Sequence, residues 1–591
     1  MKLSDYVIHF LETLHVKDVF LLSGGGMMHL LDSLAQSRQI QPYYNLNEQA
    51  TSICGDAYAQ FQNEMSVCMV TTGPGGTNAI TGVVSAYQDS TPMLVISGQV
   101  KRADFAPKGV RVYGAQEVNI TGLVENVTKY AVTVTEPEKI RYHLEKAVYL
   151  ATHGRRGPVW VDLPLDVQSA EVDLEKLKGY EEEHPLCKPA EKTLEKIVTD
   201  LKAAKKPAVL LGHGVVASHA HHFVHELSQL LQIPIMATWR GKELLPEEHP
   251  YYFGSPGSQA PRYSNFILQR SDFLLIVGSR LDWSLTAFDE PGFAPNAKKY
   301  IVDIDQAEMD KLHMKLEEKI CCDAGTFLSL FILELKKQAY QFRDSSNWLE
   351  SCREWKHQYP IYHERMELDT QGVWGYDFAK ALTSYSDNED VFVASPTGRV
   401  CIAMNLGIAL KGTQRFVAPR GLGSMGYALP SAIGVCIASN RRRTICFEGD
   451  GSLQHNIQEL QLIVTYQLPI KLFIYNNRGY SSIYGMQNTH FRHRLAGCTP
   501  ESGVILPSLK RIAEAYGISY ACISSSAELK QGVQKALKDE APLICEVVGD
   551  IRFEEIPRTQ TRVHEDGTIT SSSMEDLYPF IDSTKGERET I

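Results

Sequence analysis

The chain has 591 residues, of which 43% are hydrophobic and 22% are charged, values that are typical of large globular proteins. The 59 basic residues, set against 70 acidic ones, give a net charge of −11. Because no basic block stands out, we expect neither a nucleic acid nor a membrane as a partner. The 12 cysteines form no CxxC pair, and the N-terminus lacks the pattern of a signal peptide, so we expect a cytoplasmic protein with reduced thiols.

Strand and helix patterns alternate along the whole chain. This alternation predicts parallel sheets and an α/β fold of doubly wound domains. Polar, proline-containing stretches at 172–195 and 338–369 mark the boundaries. The predicted units are domains at 1–171, 190–337 and 370–550, followed by a C-terminal tail at 551–591.

In the first domain, the run at 41–46 predicts a β-strand that ends just before Glu48, and an alanine-rich helical stretch follows. A single glutamate is usually a solvated surface residue. Short motif runs, most of them containing glycine, accompany it, and each alone is a loop signal of low specificity. These runs lie at 24–26, 71–78, 86–92, 97–100 and 154–159.

In the middle domain, apolar runs at 207–211 and 273–277 each lead into a glycine loop, as strands do at the ligand-binding edge of open α/β sheets. A histidine cluster invites a zinc hypothesis; its members are His219, His221, His222 and His225. No glutamate stands between them in the HExxH register, and no distant third ligand is evident. We therefore interpret the cluster as a solvated helix face.

In the third domain, apolar runs at 444–447 and 470–475 predict two parallel strands whose carboxyl ends carry Asp450 and Asn477. One carboxylate, one amide oxygen and a main-chain carbonyl near Gly479 would leave octahedral positions for phosphate oxygens and water. That is how Mg²⁺ is usually held on a polyphosphate. For either piece alone, a tight turn without a metal is the better interpretation.

Together, and in this order and spacing, these motifs resemble the thiamine diphosphate (ThDP) enzymes. Nearly the whole chain resembles their acetolactate synthase branch, with a further glycine run at 421–426 ahead of the metal motif. The chain also resembles acetolactate-synthase-like carboligases of surface-polysaccharide, branched-sugar biosynthesis. The resemblance implies three doubly wound parallel-sheet domains. The first binds the pyrimidine (PYR), the second is the central domain, and the third binds the diphosphate (PP).

The resemblance also implies roles for individual residues. Glu48 would hydrogen-bond the aminopyrimidine and help to activate the cofactor, Gln116 would approach the reacting carbonyl from the other subunit, and Met425 would wedge ThDP into its bent form. The Mg²⁺ ligands would be Asp450, Asn477 and Gly479. The remaining implied ThDP contacts are Gly24, Gly25, Pro74, Asn78, Thr397, Gly398, Gly423, Gly449, Gly451, Ser452, His455 and Asn477. A site shared between chains implies a homodimer or homotetramer.

For the middle domain, the resemblance implies a site for flavin adenine dinucleotide (FAD). Its lining would include Arg155, Gly212, Gly214, Arg280, Asp303 and Asp305. The alternative is a nucleotide-free scaffold in which the same loops are tight turns between strands and helices. A flavin here would be structural, since carboligation moves no net electrons.

The implied reaction is decarboxylation of a 2-oxo acid, with pyruvate as the expected donor, and transfer of the two-carbon hydroxyethyl unit to a carbonyl acceptor. The chain departs from the synthase pattern where acceptors bind. In the synthases, an arginine binds the acceptor carboxylate, and a tryptophan, a lysine and a phenylalanine stand at three further positions. The corresponding residues of this chain are Ser284, Met486, Leu165 and Ala115, in that order. A serine cannot replace the bidentate contact of an arginine, so we expect an acceptor without a carboxylate, such as a keto-sugar nucleotide.

Two other functions stay open. One is acetolactate synthase proper, which joins two pyruvates into 2-acetolactate and CO₂. The other is a non-catalytic ThDP-binding homologue, against which the retention of Glu48, Gln116, Asp450 and Asn477 argues.

The tail has two interpretations. Its charges and the run Ser571-Ser572-Ser573 favour disorder from 558 to 591. Five residues could instead dock over the active site, namely Met574, Leu577, Tyr578, Pro579 and Phe580.

Overall fold

The structure is a computed structural model that describes residues 1–182, 187–342, 344, 346–563 and 569–581. Within these residues the chain forms three separate sheets in which every recorded strand pair is parallel, and a small antiparallel pair near the C-terminus. Helices flank each of the three sheets, so the predicted fold class is confirmed. The central strands are buried along all or nearly all of their length, as is usual for parallel sheets covered on both faces.

The N-terminal sheet has six strands in the order β2-β1-β3-β4-β6-β5. They are β1 (Asp18–Leu21), β2 (Gln41–Tyr44), β3 (Ser66–Val70), β4 (Met93–Gln99), β5 (Tyr130–Thr133) and β6 (Pro158–Pro164). The helices around it are α1 (Leu3–Thr13), α2 (Met28–Gln36), α3 (Glu48–Gln62), α4 (Pro74–Gln88), α5 (Ile120–Val124), α6 (Ile140–Thr152) and α7 (Leu165–Gln168).

The middle sheet has five strands in the order β11-β10-β9-β7-β8. They are β7 (Pro207–Leu211), β8 (Ile235–Ala237), β9 (Phe273–Val277), β10 (Lys298–Asp303) and β11 (Glu318–Cys321). Its helices are α8 (Glu191–Ala203), α9 (His213–Ala217), α10 (His221–Leu231), α11 (Arg262–Arg270), α12 (Gln306–Asp310), α13 (Ala324–Lys337) and α14 (Trp348–Gln358).

The C-terminal sheet has six strands in the order β13-β12-β14-β15-β17-β16. They are β12 (Val391–Ala394), β13 (Arg415–Val417), β14 (Thr444–Gly449), β15 (Ile470–Asn476), β16 (Ser519–Ile523) and β17 (Leu543–Val548). Its helices are α15 (Gly375–Tyr385), α16 (Gly398–Gly407), α17 (Ala428–Ala438), α18 (Asp450–Leu453), α19 (Leu460–Thr465), α20 (Ser481–His490), α21 (Leu509–Tyr516) and α22 (Leu529–Ala536). The antiparallel pair that follows is β18 (Thr561–Val563) and β19 (Ile569–Ser571).

The N-terminal and C-terminal sheets share one topology. Counted from the first strand of each sheet, both have the order 2-1-3-4-6-5, although the sequence shows no obvious repeat. In each sheet the order reverses between the first and third strands, and open α/β sheets bind ligands at the carboxyl ends of strands at such a point. The same reversal occurs between β7 and β9 of the middle sheet.

The first and third domains are joined by a common apolar core. Helices α3 and α17 cross so closely that a Cβ on Gly434 would collide with the carbonyl of Cys54. The Tyr427 hydroxyl donates to Asp56 and lies 2.9 Å from the Ser85 hydroxyl. One continuous cluster of buried side chains therefore includes residues of both sheets.

The polar stretch at 338–369 is more ordered than its composition suggests. It contains α14, which packs against α11 through an edge-to-face contact between Phe266 and Trp355. The Trp348 indole is buried and donates to the carbonyl of Pro207. Widely spaced aromatic residues, rather than a continuous apolar face, anchor this helix, which is why composition alone indicates a linker.

The described part of the tail is docked rather than disordered, while docking over the active site stays a prediction. Met574 and Leu577 are buried, and Arg262 of α11 donates to the carbonyls of Leu577 and Pro579. The tail thus lies on the middle domain. Residues 582–591 fall outside the described residues.

None of the helices in the described ranges combines the length and the apolar character that crossing a membrane requires.

Candidate functional site

The metal motif lies at the carboxyl ends of two neighbouring strands. β14 pairs in parallel with β15, with Gly449 opposite Tyr475, so Asp450 and Asn477 emerge side by side. Thr397 and Gly398 follow β12 on the other side of β14. The structure therefore brings together, at the switch point of the C-terminal sheet, the residues predicted to hold the metal and the diphosphate.

Asp450 is oriented by two main-chain donors. Its Oδ1 accepts from the N–H of Gly451 at 2.8 Å, and its Oδ2 accepts from the N–H of Gly479 at 3.2 Å. Burial raises the pKa of this carboxyl to about 6, against the opposing effect of these hydrogen bonds. A carboxylate held in so dry a place is stabilised by a cation.

Asn477 offers the second oxygen. Its Oδ1 is buried and has no hydrogen-bond partner among the described residues, a situation that is rare unless water or an ion completes the site. A buried, oriented carboxylate beside an orphaned amide oxygen fits a hard cation such as Mg²⁺. No cluster of three His, Cys, Asp or Glu side chains suited to a metal occurs in the described residues.

The part of the site predicted to hold the diphosphate contains glycines that leave the backbone accessible or closely packed. Gly398 begins α16 with φ +79° and open space around its missing side chain. A helix N-terminus offers free N–H groups to an anion. A Cβ added to Gly451 would collide with the ring of Tyr480. The hydroxyl of Ser452 accepts a hydrogen bond from the N–H of Gly426 at 2.8 Å, so Ser452 also supports the neighbouring loop.

The loop at 421–426 packs over this edge and carries Gly423 and Met425. Gly423 and Gly426 have φ values of +67° and +73°, which favour glycine. A Cβ on Gly426 would collide with that of His455, which places His455 directly beside the loop. Met425 is half-buried.

Glu48 is the first residue of α3, and Asn47 caps the helix by accepting from the N–H of Gln49. Its side chain is 7% exposed, and its Oε2 accepts from the Nδ2 of Asn78 at 3.0 Å. Gly75, next to Pro74 at the start of α4, lies against the same carboxylate. The structure thus brings Glu48, Pro74 and Asn78 together.

Gln116 is held by its backbone and exposes its side chain. Its φ is +67°, and its carbonyl accepts from the hydroxyl of Thr72 at 3.0 Å. A Cβ on Gly73 would come within 2.6 Å of that carbonyl. Gly24 likewise lies against Thr71, so Gly24, Gly25 and Gln116 surround the turn into α4.

The Glu48 carboxylate and the metal motif lie on different domains of the chain. The recorded bonds of the Glu48 carboxylate lead to Asn78, and none leads to Asp450 or Asn477 in the described part of the chain. Close to Glu48 in sequence, the Nδ2 of Asn456 donates to the Oε1 of Gln49 at 3.2 Å and the N–H of Leu46 donates to the Oε1 of Glu459 at 3.0 Å, so hydrogen bonds link the two domains here.

A cavity of about 400 Å³ lies at the switch point of the middle sheet. Four of the predicted flavin residues line it, namely Arg155, Gly214, Arg280 and Asp303. Gly212 does not line the cavity, because it packs against the carbonyl of Gly278. Asp305 caps α12 and pairs with Arg155 at 3.0 Å.

The cavity suits a large ligand with anionic groups. Glycine loops after β7 and β9 open it at the carboxyl ends of the strands, and several arginines face it, among them Arg156, Arg240 and Arg420. Sequence reasoning did not assign a role to Arg240, Arg420 or Asp89. Asp89 lies within the motif run at 86–92, so sequence reasoning identified the run but not the residues that Asp89 contacts.

The four positions that correspond to acceptor-site residues of the synthases lie on different elements of the structure. Ser284 lies on the wall of the large cavity, and Leu165 begins α7. Met486 lies on α20 and is 44% exposed. Ala115 precedes Gln116 in an exposed loop.

Family models for thiamine pyrophosphate enzymes match three parts of the chain. The N-terminal TPP binding domain matches residues 1–123, the central domain matches 194–331, and the C-terminal TPP binding domain matches 396–547. Each match falls within one of the three sheet-containing domains.

Relatives with similar sequences match over almost their whole length. An acetolactate synthase large subunit of Cyanidium caldarium is 31% identical, covering 90% of each chain. A probable acetolactate synthase large subunit of Methanocaldococcus jannaschii is 31% identical, covering 93% of this chain and 92% of the relative. The isozyme 1 large subunit of Escherichia coli is 28% identical over 92% of this chain and 93% of the relative. With ThDP-binding domains at both ends of the fold and these relatives, the chain belongs to the acetolactate synthase family of ThDP-dependent carboligases.

Proposed function

We propose that the protein decarboxylates a 2-oxo acid, pyruvate in the first place, and transfers the two-carbon hydroxyethyl unit to a carbonyl acceptor that lacks a carboxylate. A keto-sugar nucleotide is the leading candidate acceptor. ThDP, when bound, supplies the carbanion that this chemistry needs. The protein's part is to bind and orient the reactants and to manage protons.

The observation that carries the acceptor proposal is the absence of a cation at the positions that face acceptors in the synthases. Ser284 has no charge, and its own carbonyl accepts from the N–H of Ser258 at 2.7 Å. Beside Leu165, the guanidinium of Arg102 is already engaged by Asp166 at 2.7 Å. A carboxylate buried without a partner would cost several kcal/mol, so a second keto acid is disfavoured.

Helix α20 supports the same conclusion. Ile483 and Met486, one turn apart, expose 40% and 44% of their surface, so this face offers apolar contact. The cation beneath the helix is Arg399, whose guanidinium donates to the carbonyl of Ser481 at 3.1 Å and lies near Glu555. Two of its nitrogens are thus engaged by the protein.

For the cofactors, Asp450, Asn477 and the Gly479 backbone would hold Mg²⁺. The orphaned amide oxygen of Asn477 supports this assignment. For FAD, the support is a cavity of about 400 Å³, a volume within the range of ordinary cofactor sites, lined by glycine loops and arginines. The flavin would bind as a structural group.

We further propose that two copies of the chain form each complete site. Exposed apolar residues surround the elements that carry Glu48 and Gln116; they are Met28, Tyr44, Leu46, Tyr87 and Tyr113. Leu422 is exposed in the loop that holds Gly423. A second copy that covers these residues would bring the PYR half of one chain to the PP half of the other.

The test of the acceptor proposal is to restore the missing charge. Ser284→Arg should raise the rate of 2-acetolactate formation from two pyruvates by at least tenfold, because it supplies a partner for the acceptor carboxylate. Ser284→Gln, which has a long neutral side chain, is the matched control and should not. If both variants leave the rate unchanged, this position does not select the acceptor.

Acetolactate synthase proper is the second candidate, favoured by the names of the relatives. It predicts rapid 2-acetolactate formation by the unaltered protein.

A further inference from the structure

The carboxylate of Asp89 lies where the three domains meet. Asp89 ends α4 of the first domain and is 4% exposed. Its Oδ2 accepts from the N–H of Arg420, and its Oδ1 accepts from the N–H of Gly421, both at 3.0 Å. Arg240 of the middle domain lies 3.4 Å from Oδ1 and donates to the Asp89 carbonyl at 2.7 Å.

On one side, this junction holds the start of the 421–426 loop. Asp89 fixes the N–H of Gly421 and that of Arg420 just before the loop, and Ser452 fixes the N–H of Gly426 at the other end. Between these two anchors lie Gly423 and Met425. The position of both residues therefore depends on Asp89.

On the other side, the same junction forms part of the wall of the large cavity. Asp89, Arg240 and Arg420 all line it. The Arg420 guanidinium lies 4.3 Å from the ring centre of Trp239, which also lines the cavity. Arg280 donates to the carbonyl of the residue before Asp89 at 3.2 Å.

Arg420 thus belongs to both sites at once. Its main-chain N–H helps to fix the loop, and its side chain faces the cavity. A ligand in the cavity that contacts the arginines would order the segment that ThDP also needs ordered. When two ligands require the same ordered segment, the second to bind meets a smaller entropic cost, and each raises the affinity of the other.

We propose that Asp89 is a positioning residue that couples the two cofactor sites, so that an adenine dinucleotide in the middle cavity and ThDP·Mg²⁺ at the 421–426 loop bind with positive cooperativity. This inference rests on the cofactor assignments of the proposed function. It adds an energetic coupling between two cofactor sites that the proposed function treats as independent.

The test measures binding and needs no turnover. The dissociation constant for FAD is determined on cofactor-free protein from the quenching of flavin fluorescence, with and without saturating ThDP and Mg²⁺. In the unaltered protein, ThDP·Mg²⁺ should tighten FAD binding about tenfold, within the usual range for linked sites. In Asp89→Asn, an amide replaces one acceptor, and the ratio should fall close to one.

Two further variants separate coupling from general damage. Arg240→Gln removes the middle-domain partner of Asp89 and should reduce the ratio at least threefold, whatever it does to the FAD affinity itself. Asp390→Asn removes a carboxylate that is equally buried and pairs with Arg443 at 2.7 Å, but lies just before β12, at the opposite end of the sheet from the site. It should keep the full ratio. Circular dichroism melting checks that each variant is folded.

Each outcome decides a separate claim. If the unaltered protein binds FAD equally well with and without ThDP·Mg²⁺, the coupling is wrong while the flavin site stands. If it binds no FAD, the flavin assignment fails and the coupling with it. If Asp89→Asn keeps the full ratio, or Asp390→Asn loses it equally, Asp89 has no special part.

Discussion

At the residue scale, Glu48 is the side chain on which cofactor activation depends most directly. It is nearly buried and bonded to Asn78, so its position is well defined. Glu48→Gln keeps the shape but cannot exchange a proton. We expect this variant to bind ThDP·Mg²⁺ while slowing hydrogen–deuterium exchange at C2 of the cofactor by about 10²–10⁴-fold. Exchange at the unaltered rate in NMR would remove Glu48 from this role.

A second prediction at this scale concerns Asp162 of β6, which has no role at the site. Burial raises its pKa to about 6, partly offset by hydrogen bonds from Ser97, Gln99 and Thr133. Between about pH 4 and 6 the folded chain keeps a proton that the unfolded chain releases, so this group makes stability fall as the pH rises.

Asp162→Asn removes that dependence. Relative to the unaltered protein, the variant should gain up to about 3 kcal/mol in unfolding free energy between pH 4 and pH 8, the equivalent of about two pKa units. Urea unfolding at both pH values measures the gain. Parallel pH curves for the two proteins would show that Asp162 does not titrate in this range.

At the element scale, the docked tail should contribute to the stability of the middle domain. Leu577 is 1% exposed, and truncation of a buried leucine usually costs about 2–5 kcal/mol. Leu577→Ala should therefore lower the first melting transition by several degrees. Ile581→Ala, at a position that is 38% exposed, is the control and should change it little. Equal effects would mean that the tail is not anchored through Leu577.

The sequence predicts the elements that bear the motifs better than it predicts the connecting ones. β14 and β15 are continuous apolar runs, so their strands and the positions of Asp450 and Asn477 follow from pattern alone. By contrast, α14 and the tail depend on a few aromatic and aliphatic anchors that bind far from them in sequence. Local composition cannot predict contacts with residues that are far away in the sequence.

At the scale of the whole molecule, the same limit applies to Asp89. Its role arises only when segments near residues 89, 240 and 420 meet, and no local pattern predicts that meeting. Glu48 was accessible to sequence reasoning because its family motif carries its chemistry with it. The acceptor positions were accessible in the same way, as departures from that motif.

The whole-molecule proposal of a shared site predicts complementation. Glu48→Ala chains and Asp450→Ala chains should each be inactive. Mixed after joint unfolding and refolding, they should regain up to about a quarter of the activity, since half of random dimers are mixed and each mixed dimer has one intact site of two. Activity from a verified monomer of the unaltered chain would contradict the shared site.

The most direct test of the proposed reaction is a product analysis of the unaltered protein. The protein is incubated with ThDP, Mg²⁺, FAD and pyruvate, with and without a 4-keto-6-deoxy sugar nucleotide, while CO₂ and both products are followed. The account predicts slow CO₂ release from pyruvate alone, and an increase of at least tenfold with the sugar acceptor, matched by a product two carbons larger. Rapid 2-acetolactate formation that the added acceptor does not change would contradict it.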